Sequence, residues 1–178
     1  MLTAVSKNNS LGFSLVELMI GVAILAIIAS IALPNFQAML QNSQIRNAAE
    51  SVANGLQKAR AEAVSRNTNV TFILGADAIG TYSAWTVNVV NPASTIDSRS
   101  SNEGSNKVTR TVLPANATTI TFNNFGGVVV NADASASLNQ VNFSAVGGDR
   151  SLRVTIGAGG NTRMCDPNVT SGSSPRAC

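Results

Sequence analysis

The most marked pattern along the chain is an unbroken apolar run, Phe13 to Leu33, reading FSLVELMIGVAILAIIASIAL with Glu17 as its one charge. As a helix rising 1.5 Å per residue it would be about 31 Å long, enough to cross a hydrocarbon core of about 30 Å. Pro34 closes the run. A proline inside a helix removes a backbone donor, so a kink or local loosening is expected there. Beyond it, Ile45, Ala49, Val52, Leu56, Ala59 and Ala63 recur at alternating spacings of four and three. That spacing predicts an amphipathic helix with this stripe packed on a sheet of the same chain. Arg46–Glu50 and Lys58–Glu62 are spaced as solvated i,i+4 pairs.

From Asn69 onward the period changes to two. β-like runs occur at Val70–Leu74, Ala84–Val90, Lys107–Leu113, Thr118–Phe122, Gly127–Val130, Gln140–Ala145 and Ser151–Ile156, separated by Asn, Gly, Pro and Ser clusters. In the last run Leu152, Val154 and Ile156 would face a core while Arg153 and Thr155 face water. Asn91–Asn106 and Asn131–Asn139 are polar enough to read as loops. The fold class is therefore α+β: a long N-terminal helix, half transmembrane and half amphipathic, packed on antiparallel β-sheets.

Composition narrows the chemistry. Apolar residues make up 44% but aromatic ones only 4%, so the core must be built from Val, Ile, Leu and Ala. Charged residues are scarce at 12%, which leaves a Ser-, Thr-, Asn- and Gly-rich surface of extracytoplasmic character. From Asn69 to the end seven basic residues face six acidic ones, so the distal domain is no broad trap for nucleic acid or anionic lipid. The chain has no histidine, which excludes a Ser-His-Asp or Cys-His arrangement and a Cys/His metal site. The carboxylates are scattered. Gly157–Asn161 is glycine-rich but lacks the lysine and following helix of a phosphate loop, and reads as a hairpin turn. No catalytic residue, metal or cofactor is expected, and the chain does not read as an enzyme. Cys165 and Cys178 lie close together near the C-terminus. In an exported chain they read as a disulfide closing a short loop, with two free thiols as the alternative.

The apolar run is longer than the core of a secretory signal peptide, and it continues into a second helical pattern. An ordinary membrane anchor does not account for Glu17. A carboxylate within an apolar span costs several kcal/mol unless neutralised or paired, and an intramembrane acid is a functional candidate by default. No basic residue lies in the span, so the partner must come from outside it.

Gly12-Phe13-Ser14-Leu15-Val16-Glu17, following a short leader with Lys7, resembles the class III signal of type IV prepilins. The resemblance implies that a prepilin peptidase cuts between Gly12 and Phe13 and methylates the new amine. That amine could then meet Glu17 of a neighbouring subunit. Pro34 also matches the family, where it accompanies a bend or local melting. The segments Lys58-Ala-Arg60-Ala-Glu62-Ala-Val-Ser-Arg66-Asn, Val70-Thr-Phe and Ile120-Thr-Phe122-Asn-Asn-Phe-Gly126-Gly-Val are similar to the GspH/FimT family of minor pilins and pseudopilins. The tail, from Arg163-Met-Cys165-Asp166-Pro167 to Pro175-Arg176-Ala-Cys178, resembles its pilus-associated members.

The implied layout is a leader over 1–12, a transmembrane and filament-core helix over 13–34, an amphipathic helix over 35–67 and a pilin-like β-rich domain over 68–178. The implied partners are other pilin subunits, the prepilin peptidase and the inner membrane, with the globular domain in the periplasm until assembly into a pilus or pseudopilus. Three roles follow: a minor pilin that primes or caps a type IV pilus, a DNA-binding minor pilin for natural transformation, and a minor pseudopilin of type II secretion. Some family members bind DNA through a Gly-Arg-x-Arg motif. Here the matching positions are Gly160-Asn161-Thr162-Arg163, so the first arginine is missing, and Arg150, Arg153, Arg163 and Arg176 are the candidates that remain. If the leader is cut at Gly12, Gly12→Leu should leave the chain beginning at or near Met1. Mass spectrometry checks this, and a methylated Phe13 terminus in that variant would contradict it.

Overall fold

The computed structural model describes residues 13–75, 83–170, 172 and 174–178. The chain divides into two compact units, Met1–Phe36 and Gln37–Cys178. Helix α1 spans Leu15–Ser65. It starts where Ser14 Oγ accepts the Glu17 N–H at 3.2 Å, an N-cap that satisfies one of the free donors of the first turn. Pro34 lies inside α1, which stays helical through it; the expected loosening is not seen. One backbone bond, to the Ser30 carbonyl, is lost there. On either side Ser30 Oγ donates to Ile27 O at 2.7 Å and Asn35 Nδ2 to Ile31 O at 3.1 Å. The helix ends where Asn67 takes a left-handed φ of 51° and Thr68 N reaches back to Ala63 O at 3.2 Å.

Two antiparallel sheets make up the rest. β1 (Val70–Leu74), β2 (Trp85–Val89), β3 (Ser94–Arg99), β5 (Thr119–Phe122) and β6 (Val128–Val129) form one, in the order β3-β2-β1-β5-β6. β4 (Val108–Leu113), β7 (Gln140–Ala145), β8 (Leu152–Ile156) and β9 (Thr162–Cys165) form the other, in the order β4-β7-β8-β9. All seven expected strands are present within a residue or so of their expected limits. The sheets are tied by backbone bonds from Leu138 to Thr119 O at 2.8 Å and from Val128 to Ala158 O at 3.0 Å.

Two strands were not foreseen. Asn91–Asn106 is not all loop: it holds β3, an edge strand whose side chains are mostly exposed or half-buried. β9 is likewise an edge strand. A strand held by backbone pairing on one side need not alternate apolar and polar residues, so its sequence carries little period-two signal. A third correction concerns Lys58. It bonds Asp97 of β3 at 2.7 Å rather than Glu62, and Glu62 instead pairs with Arg66 at 2.6 Å. The Lys58 ammonium holds the Asp97 carboxyl below the usual carboxylate range. Arg46–Glu50 forms as expected, at 2.7 Å.

The α1 stripe is buried at every expected position, and Ala48, Ser51 and Gly55 join it. Against it lie Phe72, Trp85 and Phe122 of the first sheet and Val141, Phe143 and Val154 of the second. Trp85 Nε1 donates to Ser51 Oγ at 2.8 Å, so the one buried indole N–H is satisfied by the helix itself. Its ring centroid is 5.8 Å from that of Phe72. A Cβ on Gly55 would come within 2.8 Å of Phe72 and 2.9 Å of Trp85. Alanine there would gain up to about 1 kcal/mol of helix propensity, against about 1–3 kcal/mol for overpacking two locked rings. Overpacking wins, so Gly55→Ala should lower the melting temperature of the domain from Gln37 onward. An unchanged or raised melt contradicts the tight seat.

Candidate functional site

The N-terminal unit holds Glu17 and Pro34, the residues that the resemblance links to assembly. Between Phe13 and Leu33 every large apolar side chain is exposed, and a stretch of α1 reaches a mean hydropathy of 2.6. Glu17 sits in the first turn. The helix N-terminus favours a carboxylate there by about 0.3–1 kcal/mol, too little to offset several kcal/mol of burial in lipid. Phe13 is exposed just ahead of the helix. Gly12 and Lys7 lie outside the described residues.

At the other end of the chain, the four candidate arginines are treated differently by the fold. Arg153 pairs with Cys165 and Thr155 with Arg163, so Arg153 and Arg163 share the outer face of the β8–β9 ladder, two pairs apart. A row of polar side chains runs along that face. Arg153 Nε donates to Asn142 Oδ1 at 2.7 Å, and Asn142 Nδ2 donates to Thr111 Oγ1 at 3.2 Å. Arg163 is committed elsewhere: its Nη2 donates to the carbonyls of Ala177 at 2.7 Å and Pro175 at 3.3 Å. Those two carbonyls flank Arg176, which is exposed in the tail, and Arg150 is exposed in the β7–β8 connection. Cys165 and Cys178 are bonded to each other, and Asp166 N donates to Arg176 O at 2.7 Å. The tail is thus closed by a disulfide, a backbone bridge and a guanidinium clasp. The clasp was not legible in sequence, because its acceptors are backbone carbonyls. The Gly157–Asn161 segment is the expected hairpin turn, closed by Gly157 N to Asn161 O at 2.9 Å. Among the described residues no group of acidic, His or Cys side chains could hold a metal ion.

The family described as type II transport protein GspH matches residues 48–174, most of the chain. The chain belongs to the GspH family. The prokaryotic N-terminal methylation motif matches residues 7–33 of the same chain. This GspH-family protein is thus a pilin-like subunit of type IV pilus or type II secretion type, and proteins of this kind are structural rather than enzymatic. Two crystal forms of the type IV minor pilin FimU of Pseudomonas aeruginosa, strain PAO1, are similar to it at 19% and 18% identity. They cover 71% of this chain and 99% and 95% of their own, with TM-scores of 0.49 and 0.48. No curated protein matches the sequence.

Two variants separate the tail's fastenings. A disulfide closing a loop of this size contributes about 3 kcal/mol, the clasp about 1.5–3 kcal/mol as hydrogen bonds from a charged donor. Cys178→Ser should therefore lower the melting temperature at least as much as Arg163→Gln, and reductant should reproduce the first effect but not the second. A reductant-insensitive melt contradicts the structural role of the disulfide.

Proposed function

We propose that this GspH-family chain is a minor pilin of a type IV pilus that helps to prime or cap filament assembly. The observation that carries the reading is Glu17: a lone carboxylate in an otherwise apolar, fully exposed helical stretch, with no basic residue in the span. A neighbouring subunit's N-terminal amine, generated by cutting after Gly12 at Phe13, supplies the missing cation. Before assembly the apolar stretch of α1 anchors the chain in the inner membrane, with the β-rich domain in the periplasm. Pro34, near the division between the two units, marks the end of the apolar stretch. The clasped Cys165–Cys178 tail supports a pilus over a secretion pseudopilus, because it resembles the tails of pilus-associated members.

DNA reception is the second reading, favoured by Arg153 and Arg163 sharing one face. It is weaker for two reasons. The first arginine of the motif is missing, and Arg163 is spent on the Pro175 and Ala177 carbonyls. Losing even one phosphate contact matters where charge supplies most of the affinity.

Glu17→Ala should leave the chain in the membrane fraction but cut its recovery in sheared filaments several-fold. Normal recovery and normal piliation would sink the assembly reading. A gel shift on the same protein separates the alternative, since tight, salt-sensitive DNA binding lost in Arg163→Gln would favour reception.

A further inference from the structure

The two half-cystines of the tail are not equivalent. Cys165 lies on β9 opposite Arg153 and shares the outer face of that ladder with Arg163. A side chain on that face of an edge strand is open to solvent unless something lies over it. Arg163 is exposed there, yet Cys165 is only 3% exposed. Its cover is the returning tail, which reaches it at Cys178, itself exposed.

Bonds other than the disulfide bring the tail back. Asp166 N donates to Arg176 O at 2.7 Å, and Asp166 and Ala177 form a parallel bridge. Arg163 Nη2 donates to the carbonyls of Pro175 and Ala177, the second of which adjoins Cys178. Within the loop, Asn168 Nδ2 donates to Ser151 Oγ at 3.1 Å, and Asp166 Oδ1 accepts Asn168 N at 2.9 Å. None of these bonds involves sulfur, so all are open to the reduced chain. Two thiols 13 residues apart on a flexible segment meet at an effective concentration of about millimolar. Fastening the neck of the loop raises it.

We infer that the tail closes before its disulfide forms, and that Cys178 is the site at which an external thiol–disulfide oxidant engages the chain, with Cys165 as the resolving thiol. The Cys178 thiol gives its proton to solvent, and its thiolate attacks one sulfur of the oxidant's disulfide. A bond between Cys178 and the oxidant forms, the oxidant's own S–S bond breaks, and one thiolate leaves. The Cys165 thiolate, its proton likewise lost to solvent, then attacks Cys178 Sγ and expels the oxidant's second thiolate. The chain loses two electrons. The oxidant gains them and takes up two protons, leaving as two thiols. The opposite order is blocked by access, because an oxidant on Cys165 would have to lift the tail and break the clasp first. An unfolded chain would offer both thiols alike.

The test uses the full-length chain in detergent, reduced and then freed of reductant, with glutathione disulfide as the oxidant and mass spectrometry as the readout. In Cys165→Ser, the remaining Cys178 should gain glutathione at nearly its rate in denaturant. In Cys178→Ser, the remaining Cys165 should gain it at least fivefold more slowly than in denaturant. Equal native rates in the two variants, or a faster Cys165, overturn the inference. If Cys178→Ser no longer shows a melt, the wild-type chain decides: acid-quenched early samples should carry glutathione on Cys178 at least fivefold more often than on Cys165, and equal labelling overturns the inference. Arg163→Gln with both cysteines present should gain glutathione as fast as wild type and lose it by ring closure at least threefold more slowly. An unchanged closure rate contradicts a tail that closes first.

Discussion

The close approach of α1 to both sheets is the contact on which the distal domain depends. Ala48, Ala49, Gly55, Ala59 and Ala63 line the buried stripe, and their small side chains let aromatic and branched residues of two sheets reach the same helix. Phe72 and Trp85 of the first sheet meet Gly55, while the β7–β8 connection at Gly148 lies against Ile45. A chain with so few aromatic residues has few large groups with which to fill a core. It places Phe72 and Trp85 against Gly55, where the helix is slimmest, and buries Phe122 and Phe143 in the same core. The stripe therefore does more than bury apolar area: it keeps the sheets on one helix, and with them the edge strands β3 and β9 and the tail attached to β9.

A second constraint turns this domain into a subunit. The apolar stretch of α1 covers none of its own surface, and Glu17 within it has only the helix N-terminus in its favour. The balance of about 0.3–1 kcal/mol against several cannot close inside one chain in lipid. In the proposed filament both deficits would be resolved together, with neighbouring helices covering the apolar side chains and a neighbour's amine meeting the acid. The methylation motif over residues 7–33 and the GspH match over 48–174 agree with that division of labour between an assembly segment and a folded domain.

Much of this was legible from residue order. The spacing of Ile45, Ala49, Val52, Leu56, Ala59 and Ala63 marked the buried face, and period-two runs marked seven of the nine strands. What escaped has a common cause. β3 and β9 are edge strands stabilised by backbone pairing, which leaves little trace in side-chain pattern. Lys58 reaches Asp97, distant in sequence, and such a partner cannot outcompete Glu62 on paper. Arg163 looked available for a ligand because its acceptors are carbonyls near the C-terminus.

The central claim is that this chain works inside a filament, with its leader removed. The direct measurement is mass spectrometry of filaments sheared from intact cells and separated from membranes. The account predicts the chain in the filament fraction, beginning at a methylated Phe13 and carrying an intact Cys165–Cys178 bond. Finding it only in the membrane fraction, or beginning at Met1 within filaments, would contradict the account.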